Sequence, residues 1–131
     1  MFLKYHIPTL AWATVILFLT LLPTANMPPV PQWELISFMT ASHAVVFFIL
    51  TFLMRRGFYL QKANNSLRRH SGLYAVILSI IFGSIIEYLQ STLGWGRQGD
   101  IMDIVSNSIG TLLAIPAFNL VLRHRLLGNF L

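Results

Sequence analysis

Apolar residues run through this chain in four long blocks, near 5–22, 35–54, 72–92 and 101–122, parted by short polar or proline-rich stretches. Each block is long enough to cross a hydrocarbon layer of ~30 Å, which takes about 20 residues at ~1.5 Å rise each. The pattern predicts an all-α membrane protein, a bundle of four transmembrane helices forming one domain over residues 1–131. The first block stops at Pro23, and the "PTANMPPVPQW" that follows reads as a stiff, non-helical connector. That block is expected to stay as a span. It exceeds the ~7–15 residue apolar core of a signal peptide and lacks an A-x-A cleavage site.

Composition supports this reading. The chain is 56% hydrophobic and 10% charged, with a mean hydropathy of +0.69, outside the range of a soluble domain of this size. It has no cysteine, which excludes a disulfide framework and thiolate metal sites. There is no nucleotide-binding glycine loop and no internal repeat.

The net charge of +5 is distributed as a membrane topology signal rather than a nucleic-acid surface. Arg55, Arg56, Lys62, Arg68 and Arg69 crowd the middle connector, Lys4 opens the chain, and Arg123 and Arg125 follow the last span. Positive charge marks the cytoplasmic side, so both termini and the middle connector are expected inside, against anionic headgroups. Trp33 and Trp95 then fall at the outer ends of their spans, and Tyr5, Phe58, Tyr59 and Tyr74 near the inner ends, as interfacial aromatic belts would.

Under that topology Glu34, Glu87, Asp100 and Asp103 all lie toward the outer face. Arg97 is the one Lys or Arg outside, a placement that asks for a specific reason. Helix rise puts Glu87 ~8 Å below the outer end of the third span, His43 ~12 Å below Leu35, and Asn107 about one turn past Asp103. Gly83, Glu87, Gln90 and Ser91 share one helix face; Asp103, Ser106, Asn107, Gly110 and Thr111 share another; Ser42 and His43 add a patch on the second span. Lipid offers no hydrogen bonds, so these stripes must turn inward, a central Asp costing about 2.5–3.5 kcal/mol on insertion scales. Ser106-x-x-x-Gly110 reads first as a small-residue packing motif. Glu87, Arg97 and Asp103 read as a site, with Arg97 a planar fork for phosphate or carboxylate.

The segment "IIEYLQSTLGWGRQGDIMDIVSNSIGTLLA" carries Glu87-x-x-Gln90, a Gly-Arg turn at Arg97, then Asp103-x-x-x-Asn107-x-x-Gly110. It resembles the VanZ-like family of small bacterial membrane proteins, with His43 where the family's second-span His would be. Met39 and Thr40 stand where the family often has an Asp-Lys pair. The resemblance implies a multi-pass protein of the bacterial cytoplasmic membrane, in a family linked to decreased susceptibility to teicoplanin, with no established reaction.

The leading functional expectation is an outward-facing site for an amphiphile with an anionic head, such as a cell-envelope lipid precursor, a phospholipid or a lipoglycopeptide. Arg97 would hold the head while Gln90, Asn107, His43 and Asp100 orient it. If chemistry occurs, Glu87 or Asp103 is the general base, since desolvation raises a carboxyl's pKa. A variant uses Glu87, Asp103, Asp100 and His43 as ligands of a divalent cation. The alternative is a non-enzymatic accessory or scaffold whose stripes serve helix packing or partner binding. Membrane lipids are the expected partners, and nucleic acid is not one. The topology is checked by a reporter fused after Leu131, expected to be active only in the cytoplasm; activity only outside would overturn it.

Overall fold

The structure is a computed structural model that describes residues 2–22, 38–93 and 101–124. Regular structure among them is entirely helical: α1 (Phe2–Leu21), α2 (Phe38–Tyr59), the short α3 (Asn65–Arg69), α4 (Ser71–Leu93) and α5 (Ile101–Arg123). Four of these are long and apolar enough to cross a membrane: Phe2–Leu21, Thr40–Tyr59, Ser71–Leu93 and Ile101–Arg123. The chain is an all-α membrane protein of four spans. Trp33, Glu34 and Trp95, and the proline-rich connector, lie outside the described residues.

The second span continues to Tyr59, past the expected end at Leu53-Met54, and takes Arg55 and Arg56 into its last turns. The reason is local. The Arg55 stem lies along the bundle while its guanidinium donates to the Ile115 carbonyl and Asn119 Oδ1, both at 2.7 Å, and rests 4.6 Å from the Phe118 ring centroid. A charge supported this way costs little at a membrane edge.

Helix α2 is the centre of the bundle. It packs on α1, α4 and α5, most extensively on α5, while the α1 and α5 backbones do not approach each other closely among the described residues. Thr40 meets Ser106, His43 meets Asn107, and Arg55 meets Ile115, so α2 and α5 run in parallel. Trp12 meets Val46 while Phe2 meets Gln61, and Thr51 meets Ser79 while His43 meets Glu87, so α1 and α4 run antiparallel to α2. Ile16, Phe47, Leu50 and Ile86 form a buried apolar cluster, lined by Trp12, Leu17, Met54 and Phe82. Phe18, Val45, Ile80 and Leu112 point outward, as suits a bundle dissolved in lipid.

Small residues set the helix spacing. A Cβ built on Gly110 would collide with the Ala44 carbonyl, so α2 and α5 touch backbone to backbone there. One turn away, the Ser106 hydroxyl donates to the Thr40 carbonyl. Ser106-x-x-x-Gly110 is thus a packing motif. At mid-depth the Thr51 hydroxyl bonds Ser79 at 2.8 Å and Thr111 at 3.3 Å, tying α2, α4 and α5.

Gly110→Leu is expected to push α5 off α2 and destabilise the protein by about 1–3 kcal/mol or more, the range of core overpacking. Gly72→Ala is expected to be near neutral, since its nearest neighbours would sit at 3.6 Å. Thermal melting of the detergent-solubilised variants compares the two.

Candidate functional site

The polar stripes close on one another near one end of the bundle. His43 on α2, Glu87 on α4 and Asn107 on α5 are each 5% exposed, and the Asp103 side chain is 17% exposed. Three elements therefore supply the site. The α2–α5 contact at Gly110 and Ala44 lies one turn away, and it holds His43 against the first turns of α5.

His43 is the hub. Its Nδ1 lies 3.1 Å from Asn107 Oδ1 and 3.9 Å from Glu87 Oε1, and its Nε2 lies 3.7 Å from Asp103 Oδ2. When Nδ1 carries the ring proton, it donates to Asn107, and the Nε2 lone pair faces a carboxylate oxygen. Two acceptors that face each other in a dry interior repel unless a proton or a metal ion lies between them. One ligand atom each from His43, Glu87 and Asp103 falls within 4.8 Å of the others. That matches a divalent cation, whose ligands at ~2.1–2.5 Å stand at most about 4–5 Å apart. Asp103 Oδ1 and Asn107 Nδ2 are buried and make no hydrogen bond among the described residues. A crevice of about 20 Å³ beside Asn107, lined also by Gly83, Ser79 and Thr111, has room for about one water.

The expected site residues divide. Glu87, Asp103, Asn107 and His43 come together. Gln90 is buried on the same face of α4, but its amide donates to the Thr20 carbonyl at 2.8 Å and so joins α4 to α1. Ser91 faces outward, its hydroxyl bonded to the Tyr88 carbonyl. Arg97 and Asp100 lie outside the described residues. Sequence reasoning missed Arg55 and Asn119 as a bonded pair, having assigned Arg55 to a connector. The signal available was an Asn in the last turns of the fourth span, which demands a polar partner.

Four membrane-length helices around a buried imidazole, two carboxylates and an amide define a small multi-pass membrane protein with a polar centre inside its bundle. The chain belongs to the VanZ/LLP1 family, whose model matches residues 5–122. No curated protein and no solved structure matches it.

The His43–Asn107 contact is expected to be an energetic unit. A double-mutant cycle of His43→Ala and Asn107→Ala, read by denaturation in detergent, should give a coupling of about 0.6–2 kcal/mol, the range of interhelical hydrogen bonds in membranes. Strict additivity would separate the two residues.

Proposed function

We propose that this protein uses His43, Glu87, Asp103 and Asn107 to hold a divalent cation inside the bundle, and through it the anionic head of an amphiphile. The observation that carries the reading is the convergence of three ligand atoms within 4.8 Å on three different helices. The donor set suits the ion: one imidazole nitrogen and two carboxylates, with the imidazole's other nitrogen at 3.1 Å from an amide oxygen that fixes the ring. A cation also removes the cost of burying like-charged carboxylates in a low dielectric.

The cation reconciles an acidic centre with an anionic ligand, because a metal bound to carboxylates keeps positions open for phosphate or carboxylate oxygens. Arg97 sits on the connector that joins Leu93 to Ile101. Its planar fork is the group the sequence offers for the same phosphate or carboxylate head. By the positive-inside argument this end of the bundle lies toward the outer face of a bacterial cytoplasmic membrane, where envelope lipid precursors and acylated glycopeptides are encountered. Reduced teicoplanin susceptibility would then follow from capture of the drug or of a lipid that it needs.

The test is metal content after purification without chelator, together with thermal stabilisation by added Mn²⁺, Zn²⁺, Mg²⁺ or Ca²⁺. Wild type is expected to retain about one equivalent of one of these ions and to gain stability from it, whereas Asp103→Asn and Glu87→Gln lose both. Teicoplanin susceptibility and co-purified lipid are followed in the same strains. If no ion stabilises wild type, and the variants lose membrane abundance in step with function, the polar centre is packing and the scaffold alternative replaces this reading.

A further inference from the structure

The opposite end of the bundle carries a second polar feature that the His43 centre does not use. An open groove of about 510 Å³ is lined by Arg55, Tyr59, Asn65, Arg68, Arg69 and Ser71. Its walls come from the last turn of α2, from α3, and from the start of α4. The two described carboxylates, Glu87 and Asp103, belong to the other end, Glu87 lying about 24 Å along α4 from Ser71 by helix rise. Three guanidinium groups therefore share one groove with no carboxylate among the described residues in ion-pair range.

Two of these arginines, Arg55 and Arg68, are held by specific contacts. Arg55 is fixed by Ile115 and Asn119 through its two terminal nitrogens, and its Nε, buried, makes no hydrogen bond among the described residues. The same guanidinium lies against Gly72 in the first turn of α4, where a Cβ would meet Nε and Cζ at 3.6 Å. Arg68 stacks 4.7 Å from the Tyr59 ring centroid and donates to the Tyr59 hydroxyl at 3.3 Å. The Asn64 side chain caps α3 by accepting from the Leu67 amide at 3.1 Å, which fixes the short helix carrying Arg68 and Arg69.

We infer that this groove is a binding site for a phosphate group, supplied by the head of an anionic membrane lipid in the leaflet at this end of the bundle. Arginine forks favour phosphate oxygens and repel a choline cation. Basic pockets between membrane helices take anionic lipid heads for this reason. Phe58, Tyr59 and Tyr74 gather at the same end, with Phe58 and Tyr74 ring centroids 5.8 Å apart. They give the site the aromatic setting of a headgroup boundary.

The test embeds the full chain in nanodiscs of phosphatidylcholine and titrates phosphatidylglycerol, with retained lipid counted by native mass spectrometry and melting followed in parallel. Wild type should retain phosphatidylglycerol selectively, and Arg68→Gln/Arg69→Gln should weaken retention about tenfold. Both positions are exposed, so folding is expected to persist, checked by the melt without anionic lipid. Lys4→Gln/Arg123→Gln removes the same charge outside the groove and should leave retention near wild type. Equal losses in the two double variants would reduce the effect to general surface charge and overturn the site. Protection by inorganic phosphate equal to that by the lipid, lost in Arg68→Gln/Arg69→Gln alone, would keep the phosphate site and make free phosphate its source. No selectivity for either in wild type overturns it.

Discussion

Everything in this bundle depends on how closely α5 approaches α2. At Gly110 the α5 backbone rests on the Ala44 carbonyl, and no side chain could be interposed. That contact fixes the parallel register of the two helices, and the register decides every polar meeting along them. Toward one end it sets Ser106 on Thr40, Asn107 on His43 and Asp103 on the far nitrogen of the same ring. Toward the other it sets Thr111 near Thr51, then Ile115 and Asn119 on Arg55. A shift by one residue would turn these groups about 100° around the helix, into lipid.

Lipid explains why such a register holds. Apolar side chains gain little by leaving hydrocarbon for a protein interior, so the driving terms are close packing and the refusal of polar groups to face the tails. Hydrogen bonds between membrane helices average only ~0.6 kcal/mol each, so the Thr51–Ser79–Thr111 ties and the Trp12–Val46 bond at 3.0 Å add modestly. Exposing a central carboxylate costs several times more, about 2.5–3.5 kcal/mol on insertion scales. Avoidance therefore outweighs attraction. Ser71, Ala75, Ser79, Gly83, Glu87 and Gln90 form a single buried stripe on α4 because the alternative face is the costly one.

The same logic decides what could be read from the sequence. Four apolar blocks and their rough limits were legible because length and hydropathy suffice when the solvent is hydrocarbon. The facing of Glu87, Asp103 and Asn107 was legible because only one helix side could hide them. The depth of His43 was legible from helix rise, which set it level with the other polar groups, but its partner was not; only the α2–α5 register brings it to 3.1 Å from Asn107. Gln90 looked like a member of the site because spacing ignores the neighbour, and α1 claims it through the Thr20 carbonyl. Arg55 was assigned to a connector because hydropathy ends a span at the first charge. The carbonyl and amide on α5 that support that charge are tertiary facts.

Helix dipoles cannot account for the difference between the two ends. Helices α2 and α5 start at the end that holds His43 and Asp103, and α1 and α4 finish there; at the other end the pairing is reversed. Two positive and two negative helix termini thus oppose one another on each side, and their partial charges largely cancel. Asp103 gains from the start of its own helix, whereas Glu87 lies more than a turn before the end of α4, beyond the reach of that terminus. The asymmetry is therefore carried by side chains: carboxylates around an imidazole at one end and arginines at the other, with Arg55 about 18 Å along α2 from His43 by helix rise. Each set of charges meets its partners at its own end: His43 beside Glu87 and Asp103, and Arg55 on the Ile115 carbonyl and Asn119.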